Sequence, residues 1–318
     1  MTVAQPESLF GLQFPSDPQL SPDGSQVAYV LTRIEEDKTA KDKVEGKTEA
    51  DADWPKPRYR SQIMLGSAGA PRTLTTGKGR DTAPRWSPDG QSLAFLSDRD
   101  DKTQLYLLPL GGGEAKSLTG AARFPQGVSA AQWSPDGTTL AFLAPEGKAD
   151  DRDERGEARV ITRLNYRANG ADFLPETPDA LWRMDVVSGE ITRWFAPPQP
   201  IGDVVWWPDG RGVLYVSSSS EEAEALWQQD VYELPLSGEP KKLTEWASPI
   251  GSLAPHPDAV RFVAETRLSS QRNDTDSHLY LFTPLGETYT ATRLDGHDFP
   301  AGNWVAGDLH VGSSPEQP

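Results

Sequence analysis

The chain has 318 residues, of which 36% are hydrophobic and 25% charged, a composition typical of a globular protein that can bury a large core. Its net charge of −16 at pH 7 repels phosphate, so neither nucleic acid nor an anionic membrane surface is an expected partner. The absence of cysteine excludes disulfides, thiolate metal sites and a cysteine nucleophile.

The N-terminal residues show no targeting signal. They contain neither a basic segment nor a long apolar one. No stretch of the chain approaches the roughly 20 apolar residues that span a bilayer. We therefore expect a cytoplasmic protein.

A short motif with Pro-Asp-Gly at its centre recurs along the chain. Its copies lie at 20–24, 86–90, 133–137, 206–210 and, in a weaker form, 255–259. Proline presets φ for the first central position of a turn, aspartate bonds to nearby backbone, and glycine accepts a positive φ. Each copy is followed by an apolar run, such as "LAFL" at 93–96, that is typical of a strand. The motif therefore predicts a hairpin, and tryptophan ends the preceding strand in three copies.

Two further predicted strands follow each hairpin, separated by a glycine-containing turn, and the last is more polar. Each repeat is thus a four-stranded antiparallel meander. The inner strands are apolar on both faces, which predicts that each sheet is packed between two neighbours. This favours an all-β fold, a β-propeller of four-stranded blades. A β-sandwich, the alternative, explains neither the repeat nor the polar fourth strand.

The spacing of the turn aspartates divides the chain, which we interpret as one propeller domain over 1–318. The blades start near Asp23, Asp89, Asp136, Asp209 and Asp258. Because a four-stranded blade needs roughly 40–45 residues, the longer first and third repeats carry insertions at about 34–60 and 144–179. The residues after Gly296 resemble the start of a sixth blade. Either the N-terminal segment closes a small ring or the polypeptide is part of a longer one, and we favour the second.

Motifs of catalysis and of metal binding are missing from the sequence. No two glycines flank a serine in the Gly-x-Ser-x-Gly pattern of an α/β-hydrolase nucleophile. The four histidines lack the spacing of metal ligands, and the glycine-rich stretches do not form a phosphate loop. We therefore predict no catalytic residue, no metal site and no cofactor in this chain.

The Ser-Pro-Asp-Gly repeats and the following "LAFLSDRDDKTQLYLLPLGGGEAKSLT" resemble the propeller repeats of the prolyl oligopeptidase superfamily. TolB-type propellers share this repeat. The opening "PESLFGLQFPSDPQLSPDG" and the insertion "RLNYRANGADFLPETPDALWRMD" resemble the acylaminoacyl-peptidase branch. Asn169 departs from this pattern, which commonly has aspartate there.

The resemblance implies a seven-bladed propeller that covers an α/β-hydrolase domain and restricts entry to short peptides. Five blades and the start of a sixth are visible here, and the hydrolase domain is absent. The resemblance therefore implies a substrate-gating, substrate-selecting module of a serine peptidase, inactive alone. Its implied partners are short peptides, N-acylated or unblocked, and the hydrolase domain of the same polypeptide.

The insertion in the third repeat supplies the candidate substrate-binding residues Arg163, Tyr166 and Arg167. Arginine can bind a peptide carboxylate bidentately, and tyrosine offers a ring face and a hydroxyl. Alternatively, these residues only anchor the insertion to its blade. A second function remains open, a stand-alone TolB-like propeller that acts as a protein-binding scaffold. Exposed rim strands and an open ring also predict a homo-oligomer.

Overall fold

The computed structural model describes residues 11–36, 57–67, 69–146, 160–161, 164, 166–168, 171–173, 177–267 and 277–294. Within these residues the regular structure is almost entirely β. Five four-stranded antiparallel sheets follow one another along the chain. Each sheet is one repeat of the sequence, and we call the sheets blades 1 to 5. The predicted start of a sixth blade lies outside the described residues.

Blades 1 and 2 are four-stranded meanders. Blade 1 consists of β1 (Gln13–Leu20), β2 (Val27–Glu36), β3 (Pro57–Gly66) and β4 (Arg72–Thr73). Blade 2 consists of β5 (Asp81–Trp86), β6 (Ser92–Ser97), β7 (Gln104–Pro109) and β8 (Lys116–Ser117). The fourth strands are short and exposed, as their polar sequence predicts for the outer rim.

Blades 3, 4 and 5 repeat this order, and in blades 3 and 4 the structure describes additional elements between the second and third strands. Blade 3 begins with β9 (Ser129–Trp133) and β10 (Thr139–Ala144), continues through a separate hairpin of β11 (Arg167–Ala168) and β12 (Ala171–Phe173), and ends with β13 (Ala180–Asp185) and β14 (Ile191–Phe195). Blade 4 comprises β15 (Ile201–Trp206), β16 (Gly212–Ser217), the short helix α1 (Glu221–Ala225), β17 (Asp230–Pro235) and β18 (Lys241–Lys242). Blade 5 comprises β19 (Ile250–Pro255), β20 (Phe262–Thr266), β21 (His278–Leu285) and β22 (Thr288–Arg293).

The antiparallel order gives the blades two opposite ends. The Pro-Asp turns join the first and second strands of every blade, and we call their end the turn face. The connections from second to third strands, including both predicted insertions, leave the opposite end, which we call the insertion face. In blade 1, β2 extends to Glu36 and β3 begins at Pro57. The two strands are therefore still paired at positions where the sequence predicted the insertion. The pairing extends because Ile34 continues the buried alternation of Ala28 and Val30.

The turn chemistry follows the predicted roles. Gly24, Gly90, Gly137 and Gly210 have φ between 69° and 72°, and Ala259 takes the same left-handed conformation at φ 54°. In three turns the buried serine hydroxyl donates to the aspartate, as from Ser134 Oγ to Asp136 Oδ1 at 2.6 Å. The same Ser134 oxygen accepts the Thr139 N–H at 2.9 Å. These hydrogen bonds to the charged form lower the pKa of Asp136 and Asp89, and the equivalent bond from Ser21 lowers the pKa of Asp23 to about 2.

Replacing Ser134 by alanine should lower the free energy of unfolding at pH 7 by about 1–2 kcal/mol, because two hydrogen bonds are lost. The folded pKa of Asp136 lies below the unfolded value, so its stabilising effect is present above that value and disappears as the pH falls. The difference in Tm between wild type and Ser134→Ala should therefore shrink below about pH 4. Thermal unfolding of both proteins between pH 7 and pH 2 measures this difference in Tm. Asp136→Asn is the control, because it removes the charge of the carboxylate and keeps the shape of the side chain. A difference that is constant with pH would contradict this account.

Apolar residues on both faces of the inner strands form the interblade cores, as predicted. In β6, Leu93 and Phe95 pack toward blade 1, whereas Ala94 and Leu96 pack toward blade 3. The side chains of β10 alternate in the same way, and Phe142 packs toward blade 2. Four buried clusters thereby join the five blades in sequence order.

The tryptophan that recurs at the end of the first strand forms a hydrogen bond to the preceding blade in three repeats. Trp86 Nε1 donates to the Gln19 carbonyl at 3.0 Å, and Trp133 Nε1 donates to the Arg85 carbonyl at 3.1 Å. The third bond runs from Trp206 Nε1 to the Gln132 carbonyl at 3.3 Å. Each acceptor occupies the same repeat position, one residue before the end of the first strand. We call this series the indole ladder.

Candidate functional site

A pocket of about 300 Å³ lies between blades 1 and 2, nearer the insertion face. Residues from β1, β2, β3 and β5 form its walls, together with the residue before β5. We call it the interblade pocket, and its lining residues are Ser16, Asp17, Val30, Thr32, Tyr59, Ser61, Arg80, Thr82 and Ala83. Most of these carry hydroxyl or charged groups, so the pocket suits a polar ligand.

The pocket lies where the innermost strands of two blades both depart from regular pairing. The β1–β2 register shifts between Ser16 and Gln19, and the β5–β6 register shifts between Thr82 and Arg85. Asp17 and Ala83 adopt left-handed φ values of 49° and 51°, which non-glycine residues seldom do. Ala130 in blade 3 does the same at φ 50°, so the bulge belongs to the repeat. Between blades 1 and 2 it coincides with an open pocket.

The acidic group of the pocket is already neutralised. Asp17 forms a salt bridge with Arg85, with Nη1 to Oδ2 at 3.1 Å, and both side chains are less than a fifth exposed. Asp17 Oδ1 also accepts a hydrogen bond from Gln19 Nε2 at 3.0 Å. Because this pair links blade 1 to blade 2, it holds one wall of the pocket in place.

The cation of the pocket lining, Arg80, has no carboxylate within 4 Å of its guanidinium among the described residues. Its backbone is held firmly, since its N–H donates to Asp98 Oδ1 at 2.6 Å. Gly79 permits this approach, because a Cβ there would lie 2.5 Å from Asp98 Oδ1 and 2.7 Å from the Arg99 nitrogen. The pocket therefore presents one positive charge on an ordered backbone.

Hydroxyl groups and an aromatic ring complete the lining. Thr32 Oγ1 and Ser61 Oγ are hydrogen-bonded at 2.9 Å across the β2–β3 pair. Tyr59 is 52% exposed, so its ring can contact a bound molecule. A single guanidinium with hydroxyls beside it can bind a carboxylate through charge-assisted hydrogen bonds.

The candidate residues from the sequence stand apart from this lining. Tyr166 is 44% exposed and immediately precedes the β11–β12 hairpin. Arg167 is exposed and begins β11, where its backbone pairs with Phe173. Arg163 lies outside the described residues. Neither Tyr166 nor Arg167 lines the interblade pocket, and their role in substrate binding stays a prediction.

Sequence reasoning missed the residues of the interblade pocket. They come from segments separated by up to 67 residues, so no local pattern joins them. The one local signal is "GKGR" at 77–80, where closely spaced glycines precede an arginine. Over the described part of the chain, no group of three or more histidine, aspartate or glutamate side chains could hold a metal ion. Nor is any described helix long and apolar enough to cross a membrane.

Comparison with known proteins agrees with this architecture. The family described as "TolB beta propeller domain" matches residues 61–169. The "Uncharacterized peptidase YuxL" of Bacillus subtilis is 30% identical over 227 residues, which cover 68% of this chain and 31% of that protein. The "Tol-Pal system protein TolB" of Bordetella pertussis is 45% identical over 58 residues, or 17% of this chain and 13% of that protein.

A solved structure shares the fold over most of the chain. The acylaminoacyl peptidase of Pyrococcus horikoshii superposes with a TM-score of 0.63 at 18% identity, covering 89% of this chain and 40% of that one. The chain thus spans about a third of the length of the curated peptidase that it matches. The repeats, blades and matches define a β-propeller domain with TolB-type repeats. More particularly, the chain is related to the propeller domains of prolyl oligopeptidase-family peptidases, which confirms the resemblance found in its sequence.

Proposed function

We propose that this chain is the substrate-selecting propeller of an acylaminoacyl-peptidase-like serine peptidase. In this proposal an α/β-hydrolase domain of the same polypeptide cleaves short peptides, N-acylated or unblocked, and the propeller limits which of them enter. The observation that carries it is the 30% identity to a peptidase over 68% of the chain. An open, polar pocket between two blades supports a role in selecting peptides.

The residues Arg163, Tyr166 and Arg167 are proposed to contact the substrate from the insertion of blade 3. Arg167 and Tyr166 are exposed, as a binding role requires. A guanidinium can form two parallel hydrogen bonds with a carboxylate, and the tyrosine ring can stack on an apolar side chain. The charge of −16 opposes binding to nucleic acid and to anionic membranes, and a cytoplasmic location is part of the proposal. We also propose a homo-oligomer, which sedimentation at several protein concentrations tests.

The test begins with the native gene product and an acylated peptide substrate. A mass well above 34.8 kDa, with peptides that continue past Pro318 and with hydrolysis of the substrate, would support the proposal. In that protein, Arg167→Ala should raise KM by at least about tenfold, because both charge-assisted hydrogen bonds to the carboxylate are lost. Arg193→Ala is the matched control, because Arg193 is an exposed arginine of the same blade paired with Glu146. Unchanged kcat and KM for Arg167→Ala would make Arg167 structural.

The second candidate function is a stand-alone, TolB-like scaffold that binds proteins. The 45% identity to TolB over 58 residues and the TolB family match favour it. A native mass near 34.8 kDa and no peptide hydrolysis would support this function over the first. The useful next measurement would then be the capture of a protein partner.

A further inference from the structure

We propose that the interblade pocket binds the C-terminal carboxylate of a peptide and that Arg80 is its anchoring cation. The choice of a peptide rests on the proposed function, whereas the choice of a carboxylate rests on the pocket alone. This site lies between blades 1 and 2 and is separate from the candidate residues of the blade 3 insertion.

The charges of the pocket select a monoanion. Asp17 is engaged by Arg85, so the remaining charge on the lining is the single guanidinium of Arg80. A carboxylate matches one guanidinium through two parallel hydrogen bonds. A phosphate dianion would need more positive charge than one arginine supplies, and the net charge of −16 opposes a dianion more strongly than a monoanion.

The backbone of Arg80 is held in place before any ligand arrives, and its side chain is exposed. Its N–H is held by Asp98, its backbone forms a bridge with Ser61, and the missing Cβ of Gly79 permits the close approach to Asp98. Binding then needs little ordering of the backbone, which preserves affinity. The hydroxyls of Ser16 and Thr82 lie on the facing strands and can donate to the same carboxylate.

The rest of the lining fits the last residue of a peptide. Val30 and Ala83 provide apolar surface, and the half-exposed ring of Tyr59 offers a face for a side chain. A volume of about 300 Å³ is at the lower limit for small-molecule sites, so it accommodates one or two residues and not a folded partner. The pocket therefore suits a chain end.

The experiment measures binding of N-acetyl-trialanine to the 318-residue chain by calorimetry or NMR titration, beside the same peptide with a C-terminal amide. We expect the acid to bind at least about tenfold more tightly than the amide. Arg80→Ala should remove this preference. Arg80→Lys should restore only part of it, because lysine lacks the planar fork of donors. Arg72→Ala is the matched control, an exposed arginine in β4 of blade 1 that does not line the pocket.

Equal binding of acid and amide, no detectable binding of either, or an unchanged preference in Arg80→Ala would each overturn the proposal. Acetate that binds as tightly as the peptide would overturn the peptide assignment and identify a site for small free acids. Tm values of the variants check that each is folded. An Arg80-dependent preference for the acid in a native protein that hydrolyses no peptide would keep the pocket and reject the peptidase function. Peptide hydrolysis by the native protein without an Arg80-dependent preference for the acid would support the peptidase function and reject the carboxylate site.

Discussion

Replacing Asp81 by alanine should lower the free energy of unfolding by about 3–5 kcal/mol, the cost of breaking a buried ion pair from one side. Asp81 begins β5 and is fully buried, and its Oδ1 accepts a hydrogen bond from Arg99 Nη2 at 2.8 Å. The Arg99 guanidinium lies 4.6 Å from the centre of the Tyr106 ring and also donates to Ser97 Oγ at 2.9 Å. Without Asp81, this positive charge would remain mostly buried with no counter-charge beside it.

Urea unfolding followed by tryptophan fluorescence measures the loss. Glu114→Ala is the matched control, because it removes one carboxylate from an exposed turn of the same blade and should change stability by less than about 0.5 kcal/mol. The double variant Asp81→Ala/Arg99→Ala should cost less than the sum of the single variants, since the two residues act as one pair. A cost for Asp81→Ala close to that of the control would show that the pair contributes little.

The second large effect concerns the core between blades 2 and 3. Phe142→Ala should lower the free energy of unfolding by about 3–5 kcal/mol, because a fully buried ring is replaced by a cavity. The Phe142 ring lies edge-on to Phe124, with centroids 5.4 Å apart, and both belong to the cluster that joins β10 to blade 2. The lost contacts therefore include an aromatic pair as well as buried apolar surface.

A graded series tests this prediction. Phe142→Leu should cost about 1–1.5 kcal/mol because it retains most of the volume. Val187→Ala is the control in the same blade, since Val187 is 91% exposed and should change stability by less than about 0.5 kcal/mol. Equal costs for Phe142→Ala and Phe142→Leu would mean that the core relaxes into the cavity. The urea m-value of each variant shows whether the blades still unfold together.

The hairpins and their packing could be predicted because they depend on local sequence. The Pro-Asp-Gly turns combine residue types whose backbone preferences favour a turn, and the two buried faces of "LAFL" at 93–96 are visible as an uninterrupted apolar run. The extension of β2 to Glu36 was not predicted, because the charged residues after Ile34 are typical of a solvated loop. Pairing with β3 was sufficient to continue the strand.

The interblade pocket could not be predicted because it depends on geometry between blades. Alanine seldom adopts the left-handed conformation that Ala83 has, and an aspartate such as Asp17 adopts it only in a minority of cases, yet the bulges there shape two walls of the pocket. The approach of residue 80 to Asp98 likewise depends on a contact between separate loops. The sequence places a tryptophan at the end of the first strand in three repeats, but the carbonyl acceptors of their indoles lie 48 to 74 residues earlier in the chain.

The indole ladder also has a consequence for the order of assembly. Each tryptophan bonds only to the blade made just before it, so a growing chain could fix one blade against its predecessor as soon as the next tryptophan is available. Nearest-neighbour coupling of this kind allows stepwise, directional folding instead of a single global event. Blade 5 has Pro255 at the tryptophan position and is joined to blade 4 by Asp203 Oδ2, which accepts the Leu253 N–H at 2.8 Å. The hydrogen bond that joins blade 5 therefore comes from a carboxylate that blade 4 already holds, whereas the indole for each earlier bond belongs to the newly added blade.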